Sequence, residues 1–197
     1  MTELDEIQVD TLAACLLRDQ SAQASHAASV RLPDGAAVML RDALPDDAIG
    51  LRHMFLRLSD DTRYYYFFTG VPATDLWAER FARLGVSDGV RAYTLIAQVE
   101  GEIVGLACFH RGPEIWAAEV GILLADDWQS RGLGRHMLIR LSEEARQRGI
   151  TTFTGRILGE NRRALALARR VFTGSRVVWS GEFEVTACLD MKPEDPE

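Results

Sequence analysis

Apolar and polar positions along the chain switch between a period of two and a period of three to four, and the switches mark out the elements. Residues 29–32 and 36–41 read as two strands around the turn Pro33-Asp34-Gly35. Pro45-Asp46-Asp47 then opens a helix whose apolar stripe is Leu51, Met54, Phe55 and Leu58. Thr74 is placed to cap a helix carrying Trp77, Phe81 and Leu84, with Gly85 as its stop. Two strands, 91–99 and 102–110, meet at Glu100-Gly101. A compact apolar strand follows at 119–125. Next comes a segment running to Gly149 in which Leu133, Met137, Leu138, Leu141 and Ala145 share one helical face. A strand at 151–158, a helix opening near Asn161 and strands at 176–180 and 182–190 complete the pattern. Residues 1–28 read as an extension with a marginal stripe at Leu12, Cys15 and Leu16, and the tail 191–197 is expected to be disordered.

The order strand, glycine-bearing loop, helix at 119–149 carries chemistry. Glycines let the backbone approach a ligand, and a helix start offers unpaired amides that suit a phosphate. The loop reads Gln129-Ser130-Arg131-Gly132-Leu133-Gly134. It resembles the Gln/Arg-x-x-Gly-x-Gly/Ala signature of the GNAT superfamily of N-acetyltransferases, which cradles the pyrophosphate of acetyl-coenzyme A. A second match lies at family spacing: Glu160-Asn161-Arg162-Arg163-Ala164 resembles the family's Glu-Asn-x-x-Ala, whose Asn contacts the pantetheine arm. The resemblance implies an α/β GNAT fold over 29–190, with a mixed, mostly antiparallel sheet of six or seven strands and helices on both faces. It implies acetyl-CoA as co-substrate, held by the loop, by backbone amides around Leu123 and Leu124, and by Asn161. Arg131, Arg135 and Arg162 are the candidates for its phosphates, which Arg binds bidentately.

The run from Leu58 to Phe68, with Tyr64, Tyr65, Tyr66, Phe67 and Phe68 in succession, is the second informative stretch. It either packs between the early helices or walls an acceptor pocket, for which Tyr64, Tyr65 and Phe68 are the candidates. It also resembles the Leu-Ser-x-x-Ser-x-Tyr-x-x-(Tyr/Phe)-Phe segment in the catalytic domain of bacterial Pat-type protein lysine acetyltransferases. Strand alternation turns Trp116, Ala118, Val120, Ile122 and Leu124 one way and Glu119 the other. A carboxylate in so apolar a strand predicts burial, a raised pKa and general-base chemistry, with pairing to an Arg as the alternative. Pat-type domains place their catalytic Glu at the matching strand position. His110 is read as a surface or packing residue.

The chemistry implied is direct transfer: Glu119 takes a proton from an amine, and the free amine receives the acetyl group. No Ser-His-Asp or Cys-His constellation is evident, which disfavours an acyl-enzyme. Two departures from the family pattern stand out. The Tyr that many members carry seven residues after the Asn is Ala168 here, and the usual Leu-Gly-Phe turn is replaced by Val171-Phe172-Thr173-Gly174-Ser175.

Composition narrows the picture. A chain of 197 residues, 47% hydrophobic and 26% charged, fits one globular domain. No apolar run approaches the roughly 18 residues of a membrane span, and the acidic start Met1-Thr-Glu-Leu-Asp-Glu6 is unlike a secretory signal, so a cytoplasmic protein is expected. Cys15, Cys108 and Cys188 lack metal spacing and read as reduced thiols. Net charge is −7, yet residues 129–176 hold eleven Arg against three Glu, and the acidic remainder argues against nucleic acid. The chain has one lysine, Lys192, against 21 Arg. The acceptor is expected to be a protein lysine. The alternatives are a small amine, or no acceptor at all in an acyl-coenzyme A sensor. The extension packs either on the core or on a second copy in a homodimer.

Overall fold

Among the described residues, eight strands enter one sheet, ordered β1-β2-β3-β4-β5-β6-β8-β7. They are β1 Ala28–Arg31, β2 Ala37–Asp42, β3 Ala92–Val99, β4 Glu102–Arg111, β5 Ala117–Leu124, β6 Thr152–Ile157, β7 Arg176–Trp179 and β8 Phe183–Cys188. The count exceeds the predicted six or seven because the hairpins at both chain ends extend the same sheet. Among these described strands only β5 and β6 run parallel. This computed structural model describes residues 27–85 and 91–189. The predicted stripe at Leu12, Cys15 and Leu16, the Leu84 side chain and the tail at 191–197 lie outside the described residues.

Among the described residues, five α-helices flank the sheet: α1 Ala48–Arg57, α2 Asp60–Phe67, α3 Asp75–Leu84, α4 Leu133–Gln147 and α5 Arg162–Val171. On one face, Leu51, Met54 and Phe55 of α1 join Phe81 of α3 against Ile96 and Leu106. On the other, the predicted α4 stripe of Leu133, Met137, Leu138, Leu141 and Ala145 is buried throughout. Glu100 and Gly101 turn β3 into β4 with positive φ at both residues (49° and 87°), the primed geometry that matches strand twist. Gly85 does end α3, but with helical φ (−73°), so its glycine is not needed for a left-handed cap. Space is the reason: a Cβ there would meet Leu51 at 2.5 Å.

The aromatic run forms helix α2, and Ser59 caps it by accepting from the Thr62 amide. Arg63 on this helix is buried. Its guanidinium donates to the Val71 carbonyl at 2.8 Å, to the Leu58 carbonyl and to the Asp60 carboxylate. Replacing Arg63 by Met should therefore cost about 3 kcal/mol, because buried carbonyls lose their donor. A urea midpoint unchanged by Arg63→Met would show that water can serve those carbonyls instead.

Candidate active site

The site begins where two strands part. The parallel ladder joins Ala117–Glu119 to Thr152–Thr154 and goes no further, although β5 runs on to Leu124 and β6 to Ile157. Gly155 lies at the parting, where an added Cβ would sit 3.4 Å from the Val120 side chain. Ala125 donates to the Val104 carbonyl at 2.9 Å, so the alternation of an antiparallel ladder fixes the direction of every β5 amide. Leu123, opposite Leu106, belongs to the next bonded pair with β4. The amides of Ile122 and Leu124 face the gap. Of the two predicted amide donors, Leu124 is therefore turned to the opening and Leu123 is not.

After a single 3-10 turn at Asp126–Trp128 the chain enters the glycine loop. Ser130 and Gly132 both take positive φ (59° and 91°), and α4 starts at Leu133. Leu133 buries its side chain completely, so only its backbone is on offer to a ligand. The amides of five successive residues, Ser130 to Gly134, find no acceptor among the described residues. A Cβ on Gly134 would come within 2.9 Å of Leu167, so this glycine lets α4 lie close to α5. Gln129 sets the loop from below: its amide donates to the Leu124 carbonyl (3.2 Å) and the Thr62 hydroxyl (2.9 Å), and its oxygen accepts from Arg163 (3.2 Å).

The Arg-rich window divides into ties and free charges. Arg140 and Arg148 grip the buried Glu144 at 2.8 and 2.7 Å, and Arg146 donates to the Leu189 carbonyl. Arg131 donates to Asp34 of the β1–β2 turn at 2.6 Å and stacks 4.1 Å over Trp128; that bond holds the Asp34 carboxyl below its usual pKa. Arg135 is half-buried on the first turn of α4, and Arg162 is exposed at the first position of α5. Asn161 caps α5, its side-chain oxygen accepting from the Ala164 amide at 3.1 Å, which leaves its amide nitrogen for a ligand.

On the sheet face under α2, Glu119 stands with its side chain exposed. Its apolar neighbours predict burial, but those neighbours face the opposite cluster, so the expected burial is not found. Half-buried His110 lies directly opposite on β4, and Thr154 lies opposite on β6. The Tyr66 hydroxyl sits 4.0 Å from the Cys108 sulfur and would be 3.4 Å from a Cβ at Gly121. Burial, then Cys108, then the Glu119 charge push Tyr66 well above its normal pKa, so it stays protonated. Burial also lifts the Cys108 thiol to about 11, which makes it inert at neutral pH. Tyr64 donates to Glu160 at 3.2 Å, Tyr65 lies against it at 5.9 Å between ring centres, and Phe68 lies 5.3 Å beneath Arg156. Tyr64 and Phe68 thus reach the β6–α5 side of the gap. Tyr66, Thr62 and Asp126 were not singled out by sequence. A helical period over 60–67 places Thr62 and Tyr66 on one face and is the signal that finds two of them.

The parted strands, the five free amides and the glycine-permitted approach fit a pantetheine arm ending in a pyrophosphate. The model of the acetyltransferase (GNAT) family matches residues 54–172. The chain belongs to that family. The GNAT family uses acetyl-CoA, and the residues described above fit it. Among solved structures, the chain is similar to the GNAT domain of S. lividans PAT. Identity there is 25%, coverage is 82% of this chain and 96% of that one, and the TM-score is 0.73. A mutant of a cAMP-binding acyltransferase from Mycobacterium smegmatis shares the fold at 22% identity and TM-score 0.58. The match covers 97% of this chain and 55% of the mycobacterial one. So does yncA from Salmonella typhimurium, solved with its cofactor acetyl-CoA, at 20% identity, TM-score 0.57 and coverage of 82% and 99%. Among the described residues no helix is long and apolar enough to cross a membrane.

Proposed function

We propose that this GNAT protein transfers an acetyl group from acetyl-CoA to the side-chain amine of a protein lysine, with Glu119 as the general base. The observation that carries the reading is the place where Glu119 emerges. Beyond it, β6, β8 and β7 leave one face of the sheet to solvent, with Thr154, Arg156, Glu184, Thr186 and Val178 all exposed on it. A carboxylate at the border of a broad polar face can meet a lysine presented by a macromolecule without enclosing it.

When bound, acetyl-CoA supplies a thioester open to an uncharged amine. Ser130 to Gly134 would hold its pyrophosphate, with Arg135 and Arg162 supplying charge, and Asn161 and the Leu124 amide would bind the pantetheine. The Leu124 N–H, directed into the gap, is a fixed donor of the kind that stabilises developing negative charge. Glu119 removes the proton from the acceptor ammonium, directly or through water. Tyr64, Tyr65 and Phe68 form the wall that the lysine stem passes. Ala168 is buried, so that position offers no acid, and solvent is left to protonate the leaving group. The free thiols of Cys108 and Cys188 suit a reducing cytoplasm.

The test is release of free thiol from acetyl-CoA with two acceptor pools, native protein lysines and mixed small amines, alongside calorimetric binding of acetyl-CoA. Turnover with the protein pool alone is the expected result. Turnover only with small amines would replace the acceptor, and binding without turnover in either pool would favour a sensor.

A further inference from the structure

We propose that Thr62 is a positioning residue which, with Asp126, ties occupancy of the phosphate cradle to the helix on the acceptor side. One hydroxyl makes the join. Thr62 Oγ1 donates to Asp126 Oδ1 at 2.7 Å and accepts from Gln129 Nε2 at 2.9 Å. The carboxylate can only accept and the amide nitrogen can only donate, so the hydroxyl proton has one place to go. Asp126 then clamps the start of α2 with both oxygens, taking the Ser59 amide at 2.9 Å and the Ser59 hydroxyl at 2.5 Å. Burial would raise the Asp126 carboxyl, but these bonds outweigh it and hold the group ionised.

On the other side, Gln129 immediately precedes the five free amides and is itself fixed by Leu124 and by Arg163 of α5. A phosphate drawn into the cradle orders the loop, and Gln129 passes that order through Thr62 to α2. One turn further along α2, Tyr66 reaches Cys108 and Gly121, and Tyr64 reaches Glu160. A helix held at its first turn by the cofactor loop therefore carries the residues that face the acceptor. Coupling of this kind is reciprocal, so an acceptor that settles α2 also tightens acetyl-CoA binding. The inference rests on the acetyl-CoA site and not on Glu119 acting as the base.

Hydrogen exchange of the whole chain, with and without saturating acetyl-CoA, tests it in the native protein, Thr62→Val and Thr62→Ser. Acetyl-CoA should slow exchange of the α2 amides by about fivefold or more in the native protein, the lower end of ordinary coupling. Thr62→Val should bring that effect below about twofold while the calorimetric Kd stays within about threefold, and Thr62→Ser should restore it. A threonine that merely stabilised α2 would change exchange equally with and without cofactor. Equal cofactor-dependent protection in Thr62→Val, or none in the native protein, overturns the link. Loss of acetyl-CoA binding in Thr62→Val also overturns it, because Thr62 would then belong to the cradle. Failure of the native protein to bind acetyl-CoA would sink the cofactor site itself, whereas binding without turnover would favour a sensor and leave this link standing.

Discussion

Glu119→Gln should lower kcat by about 10²- to 10⁴-fold, the usual contribution of a positioned general base, with the acetyl-CoA Kd unchanged. The substitution keeps the size and shape of the side chain and removes its charge and its ability to take up a proton. Glu119 is exposed and joins no apolar cluster. Thermal stability should therefore move by no more than about 0.5 kcal/mol. The pH profile distinguishes the two forms of the enzyme. Without the base, the reaction must wait for amine that has already lost its proton in solution, and a free lysine does so near pH 10.4. The residual rate of Glu119→Gln should accordingly climb about tenfold per pH unit between 7 and 9, while the native enzyme rises less steeply. Stopped-flow or steady-state thiol release reads both. Native-like turnover in the variant would remove Glu119 from the mechanism and make His110, directly across the ladder, the next residue to replace.

The α4 stripe was legible because five buried residues repeat at helical spacing with nothing to contradict them. So was the loop from Gln129 to Gly134, since its glycines are there for backbone reasons that sequence expresses directly. Two things were harder to see. Alternation along β5 correctly separates Glu119 from its apolar neighbours, but it cannot say which sheet face a helix covers. Whether that carboxylate is dry or wet depends on how far α2 reaches across the sheet. The direction of a β5 amide is likewise set by ladder phase, which a single Ala125-to-Val104 bond decides and no residue type announces. The run of aromatics hid a helix, because Tyr and Phe favour strands and Ser59, its cap, lies before the run. Asp126 carries no sequence signal for a related reason: its partners, Ser59 and Thr62, are more than sixty residues away in the chain.

Gly132→Val should weaken acetyl-CoA binding by about 10²- to 10⁴-fold while the protein stays folded. Gly132 has φ 91°, a conformation that a β-branched residue does not tolerate, and its added Cβ would stand in contact with Pro33 at 3.4 Å. The backbone would rotate there to relieve the strain, turning neighbouring amides away from the phosphate. Two charge-assisted hydrogen bonds lost at about 1.5–3 kcal/mol each account for the expected range. Stability should fall by only about 1–2 kcal/mol, because Gly132 is exposed and the fully buried Leu133 still anchors α4. Gly149, just past the far end of the same helix, separates strain from binding. It too has positive φ (76°), is exposed and would meet nothing with an added Cβ. Gly149→Val should therefore lose similar stability and keep its affinity. Calorimetry and thermal unfolding of the two variants read both quantities. Affinity lost only at position 132 assigns the cofactor to the backbone cradle. Affinity kept at both positions would mean that arginine charge, from Arg135 and Arg162, holds the phosphates and the amides do not.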